Sequence, residues 1–210
     1  MFQKWWDGYF EYKDKHPYSH WMIINGRLLG IYPTNSAIAV QCKSLKDGYI
    51  PEEVIEISSN AFKENKDKRT FVISEGLKII GDYAFYKSNV ESITFPNSIT
   101  HIDNYSFSNC NYLKEVLLNG EYSSGVHLGY WCFSNCGNLI EARIKTKFIP
   151  GYCFYGCDKL KHLYLYDTEY IDVSALIGSD GCLLDVTLHA DKGSYVEKFA
   201  KKHNFKFKHL

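Results

Sequence analysis

Apolar residues recur along this chain in a pattern that repeats about every 22 residues. A small residue followed by Phe stands at Ala61-Phe62, Ala84-Phe85, Ser106-Phe107, Cys132-Phe133 and Cys153-Phe154, with a degenerate copy at Ala175-Leu176. The steps between these anchor positions are 23, 22, 26, 21 and 22 residues. Self-similarity with such a period is typical of solenoids and other repeat architectures. The pattern therefore predicts a stack of similar coils.

Two further sets of apolar residues keep phase with the anchors. An aliphatic residue stands five positions before each anchor, at Ile57, Ile80, Ile102, Leu128, Ile149 and Ile171. After the anchor, apolar residues follow at spacings of three and two, in the sets Leu113, Val116, Leu118; Leu139, Ala142, Ile144; Leu160, Leu163, Leu165; and Leu183, Val186, Leu188. The alternation at the end of each set predicts a strand with one buried face. A single coil cannot bury this face alone, so neighbouring coils must stack.

Together these columns resemble the BspA-like leucine-rich repeat, also called the Treponema-type repeat, whose unit reads roughly IP-x-x-V-x-x-I-x-x-x-A-F-x-x-C-x-x-L-x-x-I-x-I-P. The likeness is carried by IPEEVIEISSNAF, FPNSITHIDNYSFSNC and GYCFYGCDKLKHLYL and extends from about residue 50 to 190. The resemblance implies an α/β or β-rich solenoid, namely a right-handed leucine-rich-repeat superhelix of about six 21–26-residue coils. We expect an N-terminal cap with a hairpin at 1–49, the repeats at 50–189, and a C-terminal cap helix and strand at 190–210.

The two ends of such a stack expose strand edges and apolar side chains, so both need caps. Ser194 and Glu197 are spaced as a capping box, and the apolar positions after them lie on one helical stripe that ends near Asn204. Asn25-Gly26 predicts a hairpin turn. We expect the aromatic segment 1–20 to cover the first coil, and the alternative is an arm that binds a partner or a second copy.

Charge and hydropathy exclude several classes of protein. The 24 basic and 24 acidic side chains cancel and the isoelectric point is near 7.1, which is unlike a nucleic-acid-binding protein. No apolar run approaches the ~18 residues of a membrane helix, and the charged N-terminus does not resemble a signal peptide. The sequence as written predicts a cytoplasmic protein, although the resembling family implies secretion or surface attachment.

Seven cysteines raise the alternatives of a metal site, a disulfide or a reactive thiol. Cys110, Cys136 and Cys157 each follow an anchor Phe by three residues, and we expect them to be buried and to hydrogen-bond the backbone of their turn. Cys132 and Cys153 occupy the small-residue column, where side-chain volume decides the choice. Their C-x3-C spacing to the next cysteine does not match a zinc site, so no metal or cofactor is expected. The odd number of cysteines favours reduced thiols.

No motif for catalysis is found, and the eight histidines are scattered along the chain without a paired nucleophile. We therefore expect a protein that is not an enzyme, with a cysteine-dependent enzyme as the minor alternative. The surface positions of the predicted strands become larger and more polar in the later coils. Seven of these residues are candidates for partner binding: Glu141, Arg143, Lys145, His162, Tyr164, Tyr166 and His189. Tyr and Arg are common in binding hot spots.

The favoured function is that of a leucine-rich-repeat module that presents a rigid β-surface to a protein partner, as the family resemblance also implies. The alternative is an adhesin that binds carbohydrate or matrix, in which Tyr164 and Tyr166 stack on sugar rings. Aromatic side chains on a β-ladder also pair with their cross-strand neighbours, which is the simplest explanation of these residues. No nucleic acid and no membrane span are expected.

Overall fold

The computed structural model of the protein describes residues 22–24, 27–29, 49–50, 54–66, 69–118 and 125–210. Its strands are β1 (Met22–Ile24), β2 (Arg27–Leu29), β3 (Tyr49–Ile50), β4 (Glu56–Ile57), β5 (Arg69–Ile73), β6 (Ile79–Ile80), β7 (Val90–Thr94), β8 (His101–Ile102), β9 (Glu115–Leu118), β10 (His127–Leu128), β11 (Glu141–Lys145), β12 (Phe148–Ile149), β13 (His162–Tyr166), β14 (Tyr170–Ile171), β15 (Thr187–Ala190) and β16 (Lys206–His209). A 3-10 turn spans Val173–Leu176, and the helix α1 spans Tyr195–His203.

The strands form a parallel β-solenoid of about seven turns, which confirms the predicted fold class. Each turn contributes one short strand to one side and one longer strand to the other side. The short strands form the order β1-β2-β4-β6-β8-β10 and a separate pair β12-β14. Strands β1 and β2 are antiparallel with Ile24 opposite Arg27, which confirms the predicted hairpin. Strand β2 then pairs in parallel with β4, so the hairpin adds one turn to the six repeats.

The longer strands form two sheets, which together we call the β-face. The first sheet has the order β3-β5-β7, and the second has the order β9-β11-β13-β15-β16. No ladder of hydrogen bonds joins β7 to β9 in this part of the chain. The β-face therefore consists of an N-terminal three-stranded sheet and a C-terminal five-stranded sheet.

The anchor phenylalanines stack in a single column through the core. The centroid distances between successive rings are 4.6, 4.8, 5.4 and 5.8 Å, and the interplanar angles are at most 13°. All of these rings are buried, and they are Phe62, Phe85, Phe107, Phe133 and Phe154. Offset stacking adds about 0.5–1.5 kcal/mol per pair to the burial of the rings. This column confirms the repeat phase read from the sequence.

A second column inside the solenoid consists of buried thiols. The Sγ atoms of Cys110, Cys136 and Cys157 lie 3.0, 3.2 and 3.1 Å from carbonyl oxygens of anchor phenylalanines. Each thiol donates to the carbonyl of the preceding coil, whereas the sequence placed its acceptor within the same turn. The thiols therefore hold neighbouring coils together.

The C-terminal cap agrees with the prediction in its main features. The Ser194 hydroxyl accepts a hydrogen bond from the amide of Glu197, and the Glu197 carboxylate accepts one from the amide of Gly193. Helix α1 buries Val196, Phe199 and Ala200 and ends at Asn204, which adopts a left-handed conformation with φ of 60°. After the helix, β16 pairs with β15 as the last strand of the C-terminal sheet.

The last repeat departs from the predicted spacing. Leu183, predicted to be buried, is 44% exposed, while its neighbour Leu184 is buried. Strand pairing places Leu163 opposite Leu188 and Tyr164 opposite His189. The last strand is thus shifted by two residues, because the loop after the 3-10 turn adds residues to this coil. The 26-residue step between anchors also predicts a loop at 119–125. The proposed cap at 1–20 and residues 119–124 of that predicted loop lie outside the described residues.

Candidate interaction surface

The C-terminal sheet brings the predicted surface residues together on one side. Parallel pairing of β11 with β13 places Arg143 beside Tyr164 and Lys145 beside Tyr166. Because β13 also pairs with β15, His189 lies on the far side of Tyr164. The apolar spacing read from the sequence aligns Val186 with Leu163, which would place Thr187 beside Tyr164 and His189 beside Tyr166. The two-residue shift corrects this assignment and places His189 against Tyr164, where His189 is buried with 6% of its surface exposed.

Arg143, Tyr164 and His189 form a three-layer stack across three strands. The Cζ atom of Arg143 lies 3.9 Å from the centroid of the Tyr164 ring. The His189 ring is 4.1 Å from the other side of that ring, at an interplanar angle of 17°. A guanidinium over a tyrosine face is attracted by the ring quadrupole. The stack therefore fixes three side chains in one arrangement before any partner binds.

Glu141 holds the guanidinium of Arg143 in place. The distance from Nε of Arg143 to Oε1 of Glu141 is 2.6 Å. Desolvation alone would lower the pKa of Arg143, but the hydrogen bond and the charge of Glu141 outweigh it, and the phenol of Tyr166 contributes a further hydrogen bond, so the pKa is raised. Arg143 is positively charged at every pH at which the fold is studied.

His162 and His189 are joined by a hydrogen bond between their rings. Nδ1 of His162 lies 3.1 Å from Nε2 of His189. A hydrogen bond between two ring nitrogens needs one N–H and one lone pair, so the two rings cannot both be cationic without breaking it. Burial lowers the pKa of His189, and the charges of His162 and Lys208 lower it further. The neutral form of His189 is thus the one that fits the stack.

Lys145 stands apart from this stack. Its Nζ lies 3.8 Å from Oδ2 of Asp167, an exposed pair at the margin of the surface. Such pairs contribute little to stability. Of the seven predicted residues, six are thus linked through direct contacts, and Lys145 is linked to them only by its place in the sheet.

A row of aromatic residues on the opposite side of the solenoid was missed by the sequence reasoning. It lies in the turns that follow the short strands, and we call it the aromatic row. Its members are Tyr83, Tyr105, Trp131 and Tyr152. Successive ring centroids are 4.8, 5.9 and 4.2 Å apart, and the rings are parallel to within 10°. The signal in the sequence was an aromatic residue immediately before four of the five small-Phe pairs, from Ala84-Phe85 to Cys153-Phe154.

The buried thiols do not form a reactive centre. Burial raises the pKa of Cys110 to about 12, and it also raises those of Cys136 and Cys153. A reactive cysteine needs a lowered pKa and access to solvent. In the described ranges no three His, Cys, Asp or Glu side chains are grouped so that they would hold a metal ion. The same ranges contain no helix that is long and apolar enough to cross a membrane.

The repeat geometry agrees with a comparison of the sequence with known families. The profile described as "BspA type Leucine rich repeat region", in six copies, matches residues 36–161 and 121–198. These ranges cover most of the chain. The chain belongs to the BspA-type leucine-rich repeat family. Repeats of this family typically serve as non-enzymatic scaffolds, and membership points to an interaction or adhesin-like role.

Solved structures of several bacterial proteins are similar to this chain in fold. The pneumococcal vaccine antigen PcpA matches with a TM-score of 0.61 at 20% identity, over 78% of this chain and 42% of that one. The leucine-rich repeat protein of T. pallidum matches with a TM-score of 0.57 at 13% identity, over 92% of this chain and 96% of that one.

A leucine-rich cell surface protein from Faecalibacterium prausnitzii matches with a TM-score of 0.51 at 23% identity, over 56% of this chain and 31% of that one. The chain therefore spans less than half of the PcpA structure and about a third of the F. prausnitzii structure. Identities this low show the shared fold alone. Among curated protein sequences, none matches this chain.

Proposed function

We propose that the protein is a non-enzymatic interaction module that binds a protein partner through the C-terminal sheet of its β-face. The observation that carries this proposal is the stack of Arg143, Tyr164 and His189, held from the side by Glu141. Tyr and Arg are enriched at the energetic centres of protein interfaces. Because the stack is already ordered, its own side chains lose little conformational entropy when a partner binds there.

The strands that carry the stack are held in place by the core beneath them. Outward residues of β11 and β13 stand on a core in which Ala142, Ile144, Leu163 and Leu165 are buried. Parallel pairing of five strands fixes the spacing of the outward columns. A partner thus meets a preformed surface, which favours recognition of one shape over recognition of many.

Carbohydrate adhesion through Tyr164 and Tyr166 is the second candidate function. Sugar rings stack on an aromatic face, and both faces of Tyr164 are covered, one by Arg143 and the other by His189. Only Tyr166 of the two then offers a face, so the geometry favours a protein partner over a glycan. The F. prausnitzii protein of similar fold is a cell surface protein, and we propose a surface or secreted location for this chain by analogy.

The experiment is an affinity capture from extracts and culture supernatants of the source organism, with native protein and the Arg143→Ala and Tyr164→Ala variants as baits. The matched control is Thr70→Ala with Ser92→Ala, which changes two outward residues of the N-terminal sheet that bond to each other. We expect a partner captured equally by the native protein and the control, and at least about tenfold less by each stack variant. Equal capture by all four baits would place the interaction elsewhere.

A glycan array tests the second candidate with the same proteins and a further variant, Tyr166→Ala. Binding of a defined oligosaccharide that Tyr166→Ala abolishes would replace the protein-partner proposal by carbohydrate adhesion. Circular dichroism and thermal melting of each variant verify that the solenoid is intact, because the substituted side chains lie outside the core.

A further inference from the structure

The aromatic row adopts a backbone conformation that its residues rarely take. Tyr83, Tyr105, Trp131 and Tyr152 have φ of 57, 56, 61 and 60°. Positive φ is costly for bulky residues, and Asn tolerates it far better. The equivalent position of the preceding coil is Asn60, with φ of 63°. The fold alone therefore does not require rings at these positions.

The two ends of the row are built alike. At the N-terminal end, Tyr83 meets Tyr86 edge-on, with centroids 5.4 Å apart at 78°. At the C-terminal end, Tyr152 meets Tyr155 edge-on, with centroids 5.9 Å apart at 69°. At both ends the inner side of the pair is covered by the next ring of the row, Tyr105 or Trp131. Each end thus presents two tyrosines at a steep angle on its outer side.

The N-terminal end shows which chemical group such a pair accepts. The ammonium of Lys63, from the preceding coil, lies 5.8 Å from the ring centroids of both Tyr83 and Tyr86. The ammonium of Lys87 lies 5.2 Å from the Tyr86 centroid. Ring faces attract ammonium and guanidinium groups. The chain itself therefore fills this end with cations.

The C-terminal end is open. Within the described residues no lysine or arginine lies over Tyr152 or Tyr155. The next coil has Ser174 at the position equivalent to Tyr152, and the Tyr152 side chain is 38% exposed. The neighbouring Tyr130 is 55% exposed. A side chain from another molecule can therefore reach the outer face of Tyr152.

A carboxylate stands beside this open end. Oδ1 of Asp172 accepts hydrogen bonds from the amide and hydroxyl of Ser174, at 2.9 and 2.7 Å. Oδ2 points back towards Gly151, the residue before Tyr152, where it would lie 3.3 Å from a Cβ. Within the described residues, no donor forms a hydrogen bond with Oδ2 of Asp172. The open end thus combines two aromatic rings with a negative charge, which is the complement of a cationic side chain.

We propose that the pair of Tyr152 and Tyr155, with Asp172, binds a lysine or arginine side chain of a basic partner segment. This site lies on the turn side of the solenoid and goes beyond the β-face function, from which it is independent. The aromatic faces provide the cation–π attraction, and Asp172 provides the charge that orients the ammonium or guanidinium.

The test measures binding of a fluorescein-labelled peptide of alternating Gly and Lys to the full chain by fluorescence anisotropy. The same peptide with acetylated lysines is the uncharged probe. We expect the lysine peptide to bind at least about tenfold more tightly than the acetylated one. Tyr152→Asn and Asp172→Asn should each weaken binding about three- to tenfold, because Asn suits the positive φ at 152 and still accepts the Ser174 hydrogen bonds at 172.

Tyr170→Ala is the matched control, since Tyr170 is an exposed tyrosine that stacks on Phe148 and Tyr195 and on no ring of the aromatic row. It should bind the lysine peptide like the native protein. Equal affinity for charged and acetylated peptides, or native affinity in a folded Tyr152→Asn variant, would overturn the proposal. Binding of an oligosaccharide at Tyr152 in place of the peptide would overturn it too. The affinity capture tests only the β-face, and the peptide experiment tests only the Tyr152 site. Failure of one proposal is therefore distinguishable from failure of the other.

Discussion

The two sheets of the β-face rest on the same core but differ in what they show to solvent. In the N-terminal sheet the paired outward residues of β5 and β7 are small or aliphatic, namely Thr70, Val72, Ser92 and Thr94, and the exposed Glu91 lies at a shift in their register. In the C-terminal sheet β11 and β13 carry Glu141, Arg143, His162 and Tyr164, which contact one another and the buried His189 of β15. Inward positions repeat because the anchor rings must stack, whereas outward positions are free of that constraint. Side chains that differ between coils therefore indicate function, whereas side chains that repeat in every coil indicate packing.

The largest expected effect comes from breaking the core where the two sheets meet. Phe107 is fully buried and stacks between Phe85 and Phe133, at 4.8 and 5.4 Å, with Phe95 against its edge. Phe107→Ala removes these contacts and leaves a cavity, which should lower the free energy of unfolding by about 3–5 kcal/mol. Urea denaturation followed by circular dichroism measures this change.

The control for this core variant is Val72→Ala, an exposed residue of the N-terminal sheet, with an expected change within about 0.5 kcal/mol. Because each coil contacts only its neighbours, hydrogen exchange should accelerate first in the central coils of Phe107→Ala. A change as small as that of the control would mean that the ring column does not carry the stability of the junction.

A smaller effect is expected when the pH is lowered, because the C-terminal sheet contains His189. Burial and the charges of His162 and Lys208 lower the pKa of His189 below its usual value of 6.5, so the unfolded chain takes up this proton first as the pH falls. The free energy of unfolding should therefore decrease as the pH drops below about 6.5, until the folded protein is protonated as well. His189→Gln should flatten this part of the curve.

Chemical denaturation of both proteins between pH 7.5 and 5.5 provides the measurement, and His209→Gln, at an exposed histidine of β16, is the control. Native protein and control should lose stability together while His189→Gln loses less. Three parallel curves would assign the pH dependence to groups outside the stack.

The smallest effect is expected in the segment that follows β9. The long step of 26 residues leaves an insertion at 119–125, which contains two glycines and two serines and is predicted to leave the coil as a loop. Deleting four residues from it should shift the melting temperature by less than about 3 °C, measured by differential scanning fluorimetry. A larger loss would show that the segment packs on the C-terminal sheet and belongs to the candidate surface.

Most of the fold follows from the sequence because the core columns are chemically uniform. The anchor Phe and the aliphatic residue five positions earlier are fixed by stacking, so their spacing gives the phase of every coil up to Phe154. The last coil escapes this reasoning since Leu183 and Leu184 are adjacent and equally apolar. The structure buries Leu184 at 6% exposure and leaves Leu183 at 44% exposure, a choice that the apolar pattern could not make.

The candidate surface was predictable residue by residue but not in its contacts. Alternation within β11 and β13 identifies the outward side chains, and the two-residue shift of β15 then decides that His189 stacks on Tyr164. The aromatic row was not predictable by the same rules. Tyrosine and tryptophan favour strands and are rare at positive φ, so a pattern reading does not place them in left-handed turns.

The direction of the contacts between coils has a mechanical consequence. Two kinds of hydrogen bond connect one coil to the next and therefore lie along the solenoid axis. They are the backbone hydrogen bonds between parallel strands and the hydrogen bonds from the thiols of Cys110, Cys136 and Cys157 to carbonyl oxygens. A force that pulls along this axis loads these bonds in tension and opens them a few at a time. The solenoid should therefore lengthen under load in steps, each releasing one coil, or on the order of 70 Å of extended chain. It would yield gradually and would dissipate work at each step.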